Sequence, residues 1–217
     1  MTKAIIISGG TPPSFELLKQ EICNLKSDYI IIAADSGANC LYDYKITPNY
    51  LLGDFDSINP VVLNYFTAKQ VNIINYPTDK EATDNQLAYQ KALELNVTEI
   101  VFLGCLGGKR VDHVLGALGM LLKCATDKIT ATIKDEFNTI FLLEHAATIK
   151  GLAKQQFSLQ AYCDVVKKLS ISGSKFNLDN YDLKLGDNLT IANEFINNEV
   201  KIDFASGKLL VILQESN

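Results

Sequence analysis

The segment 50-YLLGDFDS-57 places a short apolar run directly before a glycine and two carboxylates. If the extended geometry of the run continues through Phe55, the side chains of Asp54 and Asp56 point to the same side. Two carboxylates held that close raise each other's pKa unless a cation neutralises them, and Mg²⁺ prefers such all-oxygen sites. A solvated turn is the alternative interpretation, because Gly, Asp and Ser are common turn residues.

Apolar runs alternate with amphipathic helices on both sides of this segment. Strands are predicted over residues 4–8, 29–34, 50–52, 71–76, 99–103 and 129–134. The first predicted helix has helical spacing between Phe15, Leu18, Ile22 and Leu25. Two further helices are predicted to begin at Pro60 and at the capping pattern of Thr83. The last predicted helix begins at Asp112 and carries Leu115, Leu118 and Leu122 on one face. The alternation predicts a doubly wound, Rossmann-like parallel sheet over residues 1–135.

The predicted strands of this first domain end in glycine or aspartate. The strand ends are residues 8–10 (SGG), 35–37 (DSG), 53–54 (GD), Asp79 and 104–108 (GCLGG). In a parallel sheet these ends meet at one edge, and ligands bind outside it. We therefore expect a ligand site at that edge.

The pattern changes after about residue 136, because the long helical periodicity disappears. Short apolar runs separated by turn residues cover 139–143, 157–161, 165–170, 189–192, 199–204 and 209–213. This spacing is typical of an antiparallel β-sandwich or barrel-like domain. The sequence thus predicts a second domain, a β-sandwich over residues 136–217.

The composition restricts the class of function. The chain has 217 residues and a net charge of −5, so there is no electrostatic case for nucleic acid as a partner. No apolar run approaches the roughly 18 residues of a membrane span, and we expect no membrane association. The five cysteines are scattered and form no C-x-x-C pair, which favours free thiols in the cytoplasm.

Several polar residues near the strand ends have both a structural and a functional interpretation. Asp84 is expected in the first turn of its helix, where capping explains it as well as catalysis does. Asp35 fits a turn residue, and Arg110 with Asp112 fits a local surface ion pair. His113 fits a buried helix residue better than a catalytic base.

Neither standard nucleotide-binding fingerprint is present. Residues 104–109 lack the spacing of a P-loop, and no G-x-G-x-x-G follows the first strand. Carboxylates that hold Mg²⁺, supported by the basic groups Lys80, Lys109 and Arg110, can still bind phosphate oxygens. This combination indicates chemistry of the phosphoryl-transfer kind.

Six ordered segments resemble the thiamine pyrophosphokinases, and the match spans nearly the whole chain. They are 35–39 (DSGAN), 53–58 (GDFDSI), 77–84 (PTDKEATD), 107–113 (GGKRVDH), 173–178 (GSKFNL) and 193–195 (NEF). Ser36, Ala82 and Ala192 depart from the family pattern, which bears on substrate contacts more than on the carboxylates.

The resemblance implies transfer of the diphosphoryl group of ATP to the hydroxyl of thiamine, giving thiamine diphosphate and AMP. It implies Mg²⁺ on Asp54, Asp56 and Asp84, which also handle the proton, and Asp112 with Arg110 positioning ATP. The further binding residues that it implies are Asp35, Ser57, Lys80, Thr83, Gly108, Arg110, His113, Phe176 and Asn193.

The family resemblance also implies a homodimer, in which the thiamine site combines the first domain of one chain with the second domain of the other. Phe176 is expected to be either an aromatic platform for thiamine or a phenylalanine of the sandwich core. Two rival functions remain: a diphosphokinase for another hydroxymethyl heterocycle such as a pterin, and a non-catalytic thiamine diphosphate-binding module.

Overall fold

The structure is a computed structural model that describes residues 2–24, 29–79 and 81–215. The chain separates into two compact units, with the boundary between Glu136 and Phe137. Leu25 and Lys80, for which the sequence makes predictions, lie outside the described residues.

The first unit contains a parallel sheet with the strand order β6-β5-β1-β2-β3-β4. Its strands are β1 (Lys3–Ile7), β2 (Tyr29–Ala34), β3 (Tyr50–Gly53), β4 (Asn72–Asn75), β5 (Glu99–Leu103) and β6 (Thr130–Lys134). All six correspond to predicted runs. The central strands are buried on both faces, as expected for apolar runs in a doubly wound sheet.

Helices cover both faces of this sheet. They are α1 (Phe15–Asn24), α2 (Ala38–Asp43), α3 (Pro60–Ala68), α4 (Asp84–Glu94) and α5 (Val111–Thr126), with a 3₁₀ turn at Asp35–Gly37 before α2. Two of the helices begin where the sequence predicts them, and each has a side-chain cap. Asn59 directly precedes Pro60, and its side chain accepts a hydrogen bond from the Val61 N–H. The Thr83 side chain accepts one from the Gln86 N–H.

Helix α5 buries a different face from the one that its leucines suggest. Ala117, Met120, Leu121 and Cys124 are buried, whereas Leu115 is 63% exposed. Leu115, Leu118 and Leu122 share one face by their spacing, but Leu118 and Leu122 are only half-buried, so this is not the most buried face of the helix. The most buried positions carry an alanine, a methionine, a leucine and a cysteine.

The second unit is built from two antiparallel sheets, with the orders β12-β9-β14-β7 and β11-β10-β13-β8. Their strands are β7 (Asn138–Leu143), β8 (Ala147–Lys150), β9 (Gln156–Ala161), β10 (Val165–Ser172), β11 (Leu178–Lys184), β12 (Asn193–Glu194), β13 (Glu199–Asp203) and β14 (Leu209–Gln214). One apolar core receives side chains from both sheets, including Phe157, Leu169 and Val211. This is a β-sandwich.

The expected fold class, a doubly wound parallel sheet followed by an antiparallel β-sandwich, is confirmed. The strand predicted over 189–192 is wrong, because this segment forms turns and Ala192 has φ of 56°. Strands β8, β11 and β12 have no predicted counterpart. In β11 only Leu183 is buried, so its sequence lacks the alternation that marks a strand. No described helix is both long enough and apolar enough to cross a lipid bilayer.

Candidate active site

A cavity of about 830 Å³ lies in the first unit, at the edge where the strands end. Its walls are formed by the turns after β1, β2, β3 and β5 and by the first turns of α4 and α5. The lining includes Asp35, Asp54, Asp56, Ser57, Thr83, Asp84, Gly108, Arg110, Asp112 and His113 from the predicted set. The structure therefore gathers ten of these residues in one pocket.

Two glycine-rich turns form one wall through close backbone contact. The Gly10 N–H donates to the carbonyl of Gly104 over 2.9 Å, and a Cβ on Gly10 would lie 2.5 Å from that oxygen. Gly104 itself has φ of +68°, and a Cβ there would lie 2.4 Å from the carbonyl oxygen of Ser8. Side chains at these positions would push the turns apart, so the glycines set the shape of the pocket.

Three carboxylates form a compact group beside this wall. Ligand oxygens of Asp35, Asp54 and Asp56 lie within 4.8 Å of one another. The expectation that extended geometry continues through Phe55 is wrong, since β3 ends at Gly53 and Phe55 has φ of 61°. A turn rather than strand alternation brings Asp54 and Asp56 together, and the Asp56 N–H donates to Asp54 Oδ1 over 3.3 Å.

Asp35 is the buried member of this group. It is 6% exposed, and its Oδ1 has no hydrogen-bond partner among the described residues. Burial raises the pKa of this carboxyl, and the negative charges of Asp84, Asp56 and Asp54 raise it further. A buried carboxylate oxygen that faces other carboxylates without a donor fits a hard divalent cation, because the cation supplies the missing electrostatic partner.

Asp84 lines the same pocket from the first position of α4, directly after the cap residue Thr83. It does not belong to the group of oxygens within 4.8 Å. The predicted metal set and the observed group thus share Asp54 and Asp56 and differ in the third carboxylate. Ser57 also lies at the pocket, where its hydroxyl donates to Asp56 Oδ1 over 2.7 Å.

Arg110 and Asp112 form an ion pair at the start of α5. Arg110 Nε donates to Asp112 Oδ1 over 2.9 Å, and both side chains are more than 60% exposed. The hydrogen bonds from the guanidinium lower the pKa of Asp112 to about 2. The local ion pair foreseen from the sequence is present, and its two members line the pocket. His113 is exposed there, so its interpretation as a buried helix residue is wrong.

In the second unit, Phe176 is 60% exposed, which excludes the sandwich-core interpretation. The neighbouring Asn193 is buried and holds the loop that carries this ring. Its Oδ1 accepts from the Phe176 N–H over 3.0 Å, and its Nδ2 donates to the Phe176 carbonyl over 2.8 Å and to Ser174 Oγ over 3.2 Å. Asn193 therefore fixes the backbone under an exposed aromatic ring.

Sequence reasoning missed a polar cluster on the pocket wall. The Ser8 hydroxyl donates to Asn85 Oδ1 over 2.9 Å and lies 3.2 Å from Cys105 Sγ. Burial raises the pKa of the Cys105 thiol to about 11, so the group is a neutral wall element. Ser8 and Cys105 follow the ends of β1 and β5, and Asn85 lies in the first turn of α4. These positions at the ligand-binding edge of the sheet could have indicated the cluster from the sequence.

Together these features define a class: a two-unit protein whose α/β part presents carboxylates and glycine turns in one pocket, followed by a β-sandwich. The sequence profile described as "Thiamin pyrophosphokinase, catalytic domain" matches residues 23–133. A second profile, "Thiamin pyrophosphokinase, vitamin B1 binding domain", matches residues 146–209. The chain belongs to the thiamin pyrophosphokinase family.

Individual relatives agree with this assignment. The thiamine pyrophosphokinase of Bacillus subtilis (strain 168) is 31% identical over 183 residues, which cover 83% of this chain and 85% of the relative. The crystal structure of thiamine pyrophosphokinase from Bacillus subtilis superposes with a TM-score of 0.86 at 27% identity and full coverage of both chains. That of thiamin pyrophosphokinase from Geobacillus thermodenitrificans gives 0.82 at 26% identity, covering 100% of this chain and 99% of the other. The family and enzyme class expected from the sequence are confirmed.

Proposed function

We propose that this chain transfers the diphosphoryl group of ATP to the hydroxyl of thiamine, giving thiamine diphosphate and AMP. The observation that carries the proposal is the group formed by Asp35, Asp54 and Asp56, which lies beside glycine turns in a pocket of the family's catalytic domain. Carboxylates repel phosphates on their own, so such a pocket needs a cation to receive ATP. The glycine turns leave room for the phosphate chain to approach the backbone.

Asp35, Asp54 and Asp56 would hold Mg²⁺, since they offer oxygens within 4.8 Å of one another and the buried Oδ1 of Asp35 has no donor among the described residues. When bound, the ion would neutralise phosphate oxygens and the charge that develops on them during transfer. Arg110, which lines the same pocket, would place its guanidinium against the remaining phosphate charge. Asp112 keeps that guanidinium oriented through its hydrogen bonds.

The reaction needs a proton acceptor. The thiamine hydroxyl oxygen bonds to the β-phosphorus while the bond from that phosphorus to the oxygen bridging to the α-phosphorus breaks, and AMP leaves. The hydroxyl proton passes to a carboxylate. Asp84 is the candidate acceptor, because it lines the pocket outside the cation-binding group. Its position at the N-terminus of α4 favours a negative charge.

The second unit would bind the vitamin. The profile for vitamin B1 binding covers both Phe176 and Asn193. Lys175 places its ammonium 5.7 Å from the centre of the Phe176 ring, so the face of this ring already attracts a cation. Thiamine carries a positively charged ring, which gains from stacking on an aromatic face. We assign residues 1–136 to ATP and Mg²⁺ and residues 137–217 to thiamine binding and dimerisation.

The homodimer is part of the proposal, with each thiamine site shared between two copies of the chain. Mixing Asp54→Asn with Phe176→Ala tests it, because a mixed dimer would contain one site free of both substitutions. We expect partial return of activity once subunit exchange is shown by mass. Exchange without any return of activity would place each site within a single chain.

The activity itself is tested by incubating the protein with Mg²⁺, ATP and thiamine and separating the products. We expect AMP and thiamine diphosphate in equal amounts. Formation of ADP would contradict diphosphoryl transfer. Faster turnover of a hydroxymethyl pterin than of thiamine would favour the rival substrate class, and the absence of any product with either alcohol would favour a binding module.

A further inference from the structure

Helix α5 contains two interior glycines, Gly116 and Gly119. Glycine is the least favourable residue of a helix interior after proline, so its presence there usually reflects a close approach by another part of the protein. Neither residue has such a neighbour among the residues that the structure describes. A Cβ on either one would have no contact within 4 Å in the part of the chain that the structure describes. Packing therefore explains neither glycine.

The two glycines differ in their position relative to the pocket. Gly116 lines the cavity together with Ala117 and Met120, whereas Gly119 does not. Met120 lies four residues after Gly116 and Asp112 four residues before it, so the three share one helical face. The pocket side of α5 thus changes along its length from a charged end at Asp112 to an apolar end at Met120.

We propose that Gly116 keeps this wall bare so that the flat adenine ring of ATP can lie against α5, between the charged end of the helix and Met120. The inference rests on the proposed function. A helix backbone without a side chain presents a flat surface, and a methionine sulfur makes favourable contacts with aromatic rings. The cavity of about 830 Å³ is large enough for a whole nucleotide.

The other aromatic substrate is a less suitable occupant of this wall. The profile for vitamin B1 binding matches residues 146–209, in the second unit, whereas α5 belongs to the unit with the carboxylates and glycine turns. The buried Oδ1 of Asp35, which lacks a partner among the described residues, independently indicates that the same cavity is built to receive a ligand. Since the proposed thiamine site stacks the vitamin's ring on Phe176 of the second unit, the ring that reaches Gly116 is the one attached to the phosphates.

The test uses Gly116→Ala and Gly116→Leu, with Gly119→Ala and Gly119→Leu as matched controls in the same helix. Both alanine variants should melt at or above the wild-type temperature, because alanine favours the helix and meets no neighbour. Gly116→Leu should raise the KM for ATP about tenfold or more by filling the space of the ring, with KM for thiamine within about twofold. The Gly119 variants should keep both values.

Equilibrium binding separates this inference from the proposed activity. Calorimetry with ATP should show the same loss for Gly116→Leu, whereas inorganic triphosphate, which has no base, should bind wild type and variant equally. This measurement remains decisive even if the wild type forms no AMP from thiamine. Unchanged ATP binding by Gly116→Leu, an equal loss for triphosphate, or a rise confined to the thiamine KM would each overturn the inference.

Discussion

Gly53, which ends β3, directly faces Asp35, since a Cβ built on Gly53 would lie 3.0 Å from the Cβ of Asp35. Gly53 also has φ of +147°, a backbone conformation that other residues rarely adopt. The next residue in the chain is Asp54, so this contact brings the buried carboxylate and the strand-end carboxylate together. The geometry of the acidic group thus depends on the absence of a side chain at position 53.

Gly53→Ala should destabilise the fold by about 1–3 kcal/mol, because it adds both backbone strain and a contact with Asp35. It should also reduce the rise in melting temperature on adding Mg²⁺, since binding to the folded state is what produces that rise. Gly186→Ala is the control: its φ is +96°, but its Cβ would meet no described atom within 4 Å. A full Mg²⁺ response in Gly53→Ala would contradict the proposed link between this contact and the cation site.

Asp54→Asn and Asp56→Asn should each lower the rate about 10²-fold or more, because each removes charge that the transition state requires. Both variants should fold, since removing one of several facing carboxylates relieves repulsion in the absence of metal. Mg²⁺ titrations followed by melting temperature should show weaker binding. The exposed Asp43 lies outside the pocket, and Asp43→Asn should behave as wild type. Near-normal turnover of either pocket variant would refute the assignment.

Phe176→Ala should raise the KM for thiamine and leave the free energy of unfolding within about 0.5 kcal/mol of wild type, because the ring is exposed. Phe195→Ala provides the contrast, since Phe195 is fully buried and its ring packs 5.0 Å from that of Phe157. It should cost about 3–5 kcal/mol. Urea denaturation and thiamine kinetics measure the two effects. An unchanged thiamine KM in Phe176→Ala would remove the ring from the site.

Asn193→Ala should loosen the loop under Phe176, because the buried amide loses its hydrogen bonds to Phe176, Ser174 and the Glu194 N–H. We expect a stability loss of about 1–3 kcal/mol, set by the unsatisfied backbone groups, and a raised KM for thiamine with little change for ATP. Asn188→Ala in the preceding loop is the control, since its exposed side chain lies outside these bonds. Equal rises in the KM of both substrates would indicate general unfolding rather than loss of the loop's shape.

The Arg110–Asp112 pair should act independently of pH across the neutral range. The folded pKa of Asp112 is lowered to about 2, so any stabilisation by the pair is present above the ordinary value of 3.8 and is lost only as the pH falls towards 2. The ratio of the ATP KM of Asp112→Asn to that of wild type should therefore stay constant from about pH 5 to 9. A change in that ratio with pH inside this range would contradict the ion pair as described.

The segments that the sequence predicted well are those whose structure depends on nearby residues. The cap of Asn59 on Val61 and that of Thr83 on Gln86 join residues two or three positions apart, so the pattern contains both partners. The buried strands of the parallel sheet are continuous apolar runs with a similar local signature. Strand β11 lacked that signature, since only Leu183 among its seven residues is buried.

The sequence by itself therefore determined the fold class, the strand ends that carry the carboxylates, and the family of the chain. Only the tertiary structure decided that Asp35 completes the acidic group, because the register that pairs Ala34 with Leu52 places Asp35 beside Gly53. It also decided that α5 buries Ala117, Met120 and Leu121 while Leu115 is exposed, and that Phe176 is exposed. These properties depend on contacts between residues distant in sequence, which propensity and periodicity do not encode.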